Sequence, residues 1–529
     1  LPFAVKRELF IAAGIWHRRE ATFIQLTGLN IYTFDSLTGK QKNVLEMRIL
    51  RLVCCVFFAL SYTDANAQVS TEGSSFWFGF MANSTDGPED ELEVTITSSQ
   101  AATGVVEVPG QNWSQTFFVD PNSSIEITIP DNIGEVSTEQ FIDSRAIHIE
   151  TNVAVSVFAS NYSQSSADAS RILPQPVLGT KYIAASYAGL NGAASQLLIV
   201  ATEAGTEIQI TPSVTTSAGS AAGVPFTVQM GAGQCYRIAA SGTGDLTGTQ
   251  ITATAQSGKC RPFAVFGGAV CANIPNTCFQ ACDHLYEQLY DLDKWGRNYV
   301  ISPFQFLIDP SYSSITQPRY SYRVIAALNG TNIIIDDVTA IVLQAGQFQE
   351  FNNETIAHQI AADQPVMVVQ YMEGISCAGN GDPAMVILDD IANTSTSAII
   401  NANNFGAIDT HYISVVIGAA GLGSFAMDGV IIPSAQFQPV GAGDAYWVGT
   451  FDLTPGQHSV TCNTGFNGML FGHASNGSIT ASYAESLPVT LSETPIIWDQ
   501  TVCSNAGVSL DVPANYASPR WYYVNDPGA

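Results

Sequence analysis

His284 stands directly after Asp283, two residues after Cys282 and three before Glu287. A ring nitrogen beside a sulfur and two carboxylates has the composition of a nucleophilic or metal site. Nucleophilic work needs Cys282 as a thiolate. A zinc site would draw on Cys271, Cys278, Cys282 and His284, yet the gaps of six and three residues between these cysteines lack paired knuckles. In an exported chain the cysteines are expected as half-cystines. The proposed pairs are Cys271 with Cys282, closing a short loop, and Cys235 with Cys260, on flanking strands of one unit. That leaves His284 an orienting, hydrogen-bonding role. No His-Glu-x-x-His, Gly-x-Ser-x-Gly or phosphate-cradling Gly-x-x-x-x-Gly-Lys occurs, so no catalytic or cofactor-binding residue is assigned and the chain reads as a non-enzyme.

Carboxylates offer the second candidate chemistry. Asp168, Asp283 and Asp382 recur at equivalent places in successive stretches, and calcium takes such oxygen ligands. They are the calcium candidates, although none sits in a D-x-[DN]-x-[DN]-G loop; the competing role is a turn cap. Trp113, Trp447 and Trp498 could stack on sugars, but a sandwich core also needs large side chains.

These residues are spaced by a repeat. The apolar runs Val153–Val157, Pro262–Phe266 and Pro365–Val369 lie about a hundred residues apart, and Gly468–Gly472 follows at nearly the same interval. Each run follows a stretch of period two, as a half-buried strand leads into a buried one. Around two of them the text agrees further: Leu178-Gly179-x-x-Tyr182 matches Trp295-Gly296-x-x-Tyr299, and Gly205-Thr206 matches Gly330-Thr331 at a hairpin turn. One unit reads as about seven short strands, from Lys181–Ser186 to Phe263–Ala269. That is the arithmetic of a β-sandwich. The fold class is therefore all-β, tandem β-sandwich-like repeats of about 105 residues, with a β-propeller as the alternative. The repeats are placed at 68–170, 171–282, 283–382 and 383–487. Residues 488–529, with Cys503 and Trp521, read as the start of a truncated immunoglobulin-like domain.

Charge and the leader bound what such an array can meet. From Met47 the order is basic (Arg48, Arg51), apolar (Leu52–Leu60) and small (Ala65-Asn66-Ala67), a signal peptide over 47–67 with cleavage before Gln68. Residues 1–46 read as an upstream segment outside the mature protein. The net charge is −27, and eight of the 19 basic residues precede Gln68 against five of the 46 acidic ones. Such a surface repels nucleic acid and anionic lipid. No later stretch reaches the roughly 18 to 20 apolar residues that span a bilayer, so the product is expected to be secreted or at the cell surface.

Leu246-Thr247-Gly248-Thr249-Gln250-Ile251, Pro262-Phe263-Ala264-Val265-Phe266-Gly267-Gly268, Cys282-Asp283-His284-Leu285-x-Glu287-Gln288-Leu289 and Trp295-Gly296-x-x-Tyr299-Val300 together resemble the N-terminal region of the IgG Fc-binding protein family. The similarity covers about residues 72 to 485, so that 68–487 becomes one IgG Fc-binding-like region, and it marks Asp283, His284, Trp295, Gly296 and Tyr299 as family-matching structural residues. The resemblance implies adhesion or recognition of a glycoprotein, polysaccharide or other cell-surface polymer, and in bacterial members the display end of a surface protein. The rivals are a structural stalk or matrix component, and an accessory region of a secreted enzyme whose catalytic domain lies elsewhere.

Overall fold

The structure is a computed structural model that describes residues 22–24, 31–33, 68–83, 91–163, 166–190, 192–254, 261–278, 282–306, 308–312, 314–402, 404–474 and 481–492. Signal segment 47–67, Cys260, Trp498, Cys503 and Trp521 lie outside the described residues. Leu1–Ala67 and Gln68–Ala529 are separate compact units. In the first, Thr22–Ile24 pairs antiparallel with Ile31–Thr33.

The second unit is nearly all β and repeats one eight-strand plan four times. In repeat one, Trp113–Val119, Ala102–Val108, the front of β1 (Ile147–Ser163) and Gly73–Phe78 form one sheet in that order. Ser123–Ile129, Glu91–Ser98, the back of β1 and β2 (Ser166–Ile172) form the other. Repeat two matches it strand for strand. Phe226–Met230, Thr206–Thr211, Gln250–Ala253 and Lys181–Ile183 face Cys235–Ala239, Ser195–Ala201, β3 (Phe263–Ala272) and β4 (Asp283–Gln288). In repeat three the sheets are Thr339–Leu343, Thr331–Ile335, the front of β5 (His358–Met372) and Gly296–Ile301, then Phe348–Glu354, Tyr320–Ala326, the back of β5 and β6 (Ala384–Ile387). Repeat four has Val430–Ile431, Ala426–Met427, the front of β7 (Gly456–His473) and Ser395–Ala402, then Tyr446–Leu453, Thr410–Gly418, the back of β7 and β8 (Ser482–Ser486). Two sheets per unit make a sandwich rather than a single blade.

The long strand serves both sheets because its sequence bends in the middle. In β1 the register shifts between Glu150 and Val155. In β5 the break falls at Pro365, which has no amide to give. In β7 it falls at Gly465 and Gly468, both at positive φ. The apolar runs that mark the repeat reach into strand segments buried on both faces, in β1 from Val155 onward, whereas the front half of β1 exposes Glu150, Asn152 and Ala154.

Hydrogen bonding assigns each closing strand to the sandwich before it. Asp283–Gln288 completes repeat two and Ala384–Ile387 completes repeat three, so the boundaries expected after residues 282 and 382 cut a strand from its sheet. Thr490–Ser492, expected to open the immunoglobulin-like domain, pairs with Gln68–Ser70 instead, and the Thr71 amide donates to Val489 O at 2.9 Å. Nor are the repeats strung out. Strands β2, β4, β6 and β8 pack in a ring, β2 and β6 each between β4 and β8. The largest core cluster runs through repeats one and two and takes in Met367, Val369 and Tyr371 of repeat three.

The Gly-x-x-Tyr motif is a corner that locks the entry of a sandwich. Tyr182 Oη accepts from Gly179 N at 3.0 Å and donates to Phe263 O at 2.7 Å. Tyr299 Oη does the same with Gly296 N at 2.9 Å and Val366 O at 2.7 Å. Asp291 and Asp390 cap the two corners, each accepting from two consecutive amides, and a Cβ on Gly296 would lie 2.3 Å from Asp390 Oδ2. Glycine is required there by close approach.

Cys235 is a buried free thiol, and Cys260, the partner expected for it, lies outside the described residues. Its strand belongs to one sheet of repeat two, while Gln250–Ala253, leading toward residue 260, belongs to the opposite one. The sulfur instead lines the seam with repeat one, beside Gly79.

Candidate functional site

The residues with the greatest chemical potential converge where β2, β4, β6 and β8 meet. These strands close four different sandwiches, so the amides they turn toward one another have no ladder partner, and a buried amide left unmet is costly. Asp168, fully buried, meets them. Its Oδ1 accepts from Ala169 N at 2.9 Å and Ala484 N at 3.4 Å, and its Oδ2 from Tyr286 N and Met385 N, both at 3.0 Å. One carboxyl group thus holds all four closing strands. Asp283 accepts from Ala167 N and His284 N at 2.7 Å and from Ser482 N at 3.3 Å. Asp382 gives its own amide to Ser482 Oγ at 2.8 Å, and Glu287 accepts from Ile387 N at 3.1 Å.

Beside this acidic centre lies a buried cation. Arg171 pairs with Asp389 at 3.2 Å and also donates to Leu487 O and Tyr290 Oη. Tyr290 Oη in turn donates to Asp389 Oδ1 at 2.7 Å. These four residues come from the ends of β2, β4, β6 and β8, so the ion pair crosses every repeat boundary at once. Arg323 plays the same part between repeats two and three. It donates to Asp245 at 2.8 Å and Glu350 at 2.6 Å and lies 4.0 Å from the centroid of the Tyr187 ring.

Burial sets the protonation of the hub. It pushes Asp168 and Asp283 well above the usual carboxylate range, the latter helped by Asp382, and it raises Glu485 with help from Glu287. Glu287 is pushed up to about 8 by burial, against its amide and hydroxyl donors and Arg171. The same desolvation lowers His284 and His411 to about 4. A carboxyl whose folded value is raised binds its proton more tightly in the folded chain. Its contribution is full below the ordinary value of 4.5 and is lost as pH rises through about 8. The two histidines work the other way, losing their contribution as pH falls from 6.5 toward about 4. Between pH 6.5 and 8 the carboxyls therefore set the slope. We expect the melting temperature to fall across that window, with Glu287 alone contributing roughly 1.4 kcal/mol per pH unit. The variant Glu287→Gln should flatten the fall in scanning calorimetry. A midpoint that rises from pH 6.5 to 8 contradicts it.

Asp168, Asp283 and Asp382, the calcium candidates, do come together, but Asp168 does not fit a cation. Both of its oxygens face amide donors, whose positive ends would oppose a metal ion. Among the described residues no group of three or more His, Cys, Asp or Glu is placed to hold one. The zinc alternative fails on its sulfurs. Cys271 is bonded to Cys282 with an S–S distance of 2.03 Å, and Cys278 to Cys377, a bond that ties repeat two to repeat three across 99 residues. Cys282 thus cannot be a thiolate. His284 is fully buried with its amide on Ser166 Oγ and its ring beside Asn161 and stacked on Tyr286. Trp295 is core, giving its indole N–H to Tyr290 O at 3.2 Å. Trp113 and Trp447 are half-buried and pack on the cores of repeats one and four.

One recurrent site was not singled out from the sequence. His148, His358 and His458 each lie near the start of a long strand and meet a carboxylate: Glu107 at 2.9 Å, Asp336 at 2.6 Å and Asp428 at 2.7 Å. Asp336 and Asp428 both sit at positive φ in the hairpin turn. The signal was a histidine at matched positions of the repeat.

Four sandwiches closed on a buried polar hub define an all-β protein whose open surfaces, not its centre, face solvent. The chain belongs to the IgGFc binding protein family, whose characteristic sequence matches residues 168–472. It is 26% identical over 308 residues to the human "IgGFc-binding protein", a match that covers 56% of this chain and 5% of that protein's length. Among the described residues no helix is long and apolar enough to cross a membrane.

Proposed function

We propose that residues 68–492 act as an extracellular recognition module that binds a glycoprotein, polysaccharide or other cell-surface polymer without covalent chemistry. The observation that carries this reading is the fate of the reactive groups. The carboxyls and histidine that could do chemistry are sealed in the hub, where Asp168 and Asp283 are committed to backbone amides. Two disulfides suit an oxidising exterior. The name of the human relative adds IgG Fc to the ligands worth presenting.

The test is an array of mucin-type glycoproteins, polysaccharides and IgG Fc probed with purified protein. Saturable binding to one class, retained after reduced and alkylated controls have lost it, is expected. A blank array together with concentration-dependent polymerisation would overturn the reading in favour of a stalk.

A further inference from the structure

Every repeat ends its outer sheet on the same strand: Trp113–Val119, Phe226–Met230, Thr339–Leu343 and Val430–Ile431. Among the described residues each is paired with a strand on one side only. Natural edges are normally blunted by charge or proline, yet none of these four strands contains Lys, Arg, Asp, Glu or Pro. Three of them carry exposed apolar side chains instead, whereas Phe226–Met230 exposes Thr227 and Gln229. Among the described residues, six of the ten exposed large hydrophobic side chains lie on or within two residues of them: Phe118 at 53%, Val224 at 56%, Val338 at 86%, Val342 at 59%, Val430 at 66% and Ile431 at 60%.

The opposite sheets show what this fold does with an edge when a strand is at hand. The edge Cys235–Ala239 is covered by Ile142–Asp143 from repeat one, and the edge Tyr446–Leu453 by Gln438–Val440. Among the described residues the end strand of each outer sheet stays uncovered in all four repeats. Thr339–Leu343 is the clearest case, with Ile334 on the neighbouring strand 43% exposed and on the same face as Val342. Its surroundings are acidic: Asp336 and Asp337 form the turn before it, and Asp363 lies against Asn332 on the adjacent strand.

We propose that these outer edges, Thr339–Leu343 foremost, are strand-addition sites for an extended peptide that alternates apolar and cationic residues. The inference rests on the recognition reading and names its partner class. Main-chain hydrogen bonding to the open ladder supplies affinity, and alternate side chains meet the exposed valines. Charge selects among occupants. A second copy would bring the same net charge of −27 to the edge, whereas a lysine-bearing strand is drawn to Asp336, Asp337 and Asp363.

The test uses the whole chain with a synthetic valine–lysine alternating octapeptide, read by hydrogen exchange. Slowed exchange over 339–343 is expected, with affinity falling about tenfold or more between low and high salt. The variant Val342→Lys should lose protection there while keeping it over 113–119, and Ile356→Lys, an equally exposed change off the edge, should keep both. The proposal is overturned if none of the outer strands is protected, if Val342→Lys leaves 339–343 protected, if a valine–glutamate peptide protects as well, or if protection appears on concentrating the protein alone. A chain that binds the glycoprotein array with its edges unprotected retains the recognition reading and loses this one.

Discussion

Asp168→Ala should cost more than about 4 kcal/mol and leave little folded protein at physiological temperature. The carboxyl receives one amide from each of β2, β4, β6 and β8. Alanine would strand all four N–H groups in a fully buried place where water cannot replace the lost acceptor. Each unmet donor costs roughly 1–3 kcal/mol, so even the low end of that range is large for a single substitution. The variant Asp168→Asn should fall between. It keeps one acceptor oxygen, but its NH2 would face amides that also need an acceptor. Urea denaturation of all three proteins reads the order directly, and exposed Asp120→Ala serves as the control. An Asp168→Ala midpoint indistinguishable from the parent would mean that the four strands are held by packing alone.

The repeat was legible because its clearest text is written in strands buried on both faces. Val155–Val157, Phe263–Phe266 and Val366–Val369 can be read as core without knowing what covers them. Seven of the eight strands of repeat two are legible, some as apolar runs buried on both faces and the half-buried ones, such as Thr206–Thr211, by their alternation. The eighth, Asp283–Gln288, falls beyond the boundary the sequence suggests after residue 282, and its residues, Asp, His, Leu, Tyr, Glu and Gln, do not read as a buried strand. Burial of such a strand is paid for by partners that local patterning cannot show. The donors to Asp168 lie 118, 217 and 316 residues away along the chain. Recurrence of Asp168, Asp283 and Asp382 flagged the place, and calcium was the wrong chemistry for Asp168 because backbone amides had already taken its oxygens. Gly296 and Tyr299 were visible as a motif, but their reason, a hydroxyl that bridges Gly296 N and Val366 O, needed the fold. The open outer edges left no mark at all, since an uncharged strand reads the same whether or not a neighbour covers it.

Arg171→Met should be nearly as damaging as the loss of Asp168, for the opposite reason. Arg171 and Asp389 expose 3% and 1% of their side chains, so removing the cation leaves a buried carboxylate without its counter-charge. Breaking such a pair from one side costs about 3–5 kcal/mol, while replacing both partners by apolar groups of similar volume can be close to neutral. The triple variant Arg171→Met, Asp389→Leu, Tyr290→Phe removes both charges and the hydroxyl that bridges them. It should recover most of the loss, to within about 2 kcal/mol of the parent. The single variant should also respond more steeply to pH. Arg171 is one of the groups that hold Glu287 and Glu485 down. Without it their folded values climb further, and a carboxyl raised further loses more stability as pH rises. Arg171→Met should therefore fall further behind the parent at pH 8 than at pH 6.5. A deficit that is constant across that range would show that the guanidinium acts as a packing element rather than as the charge that balances the hub.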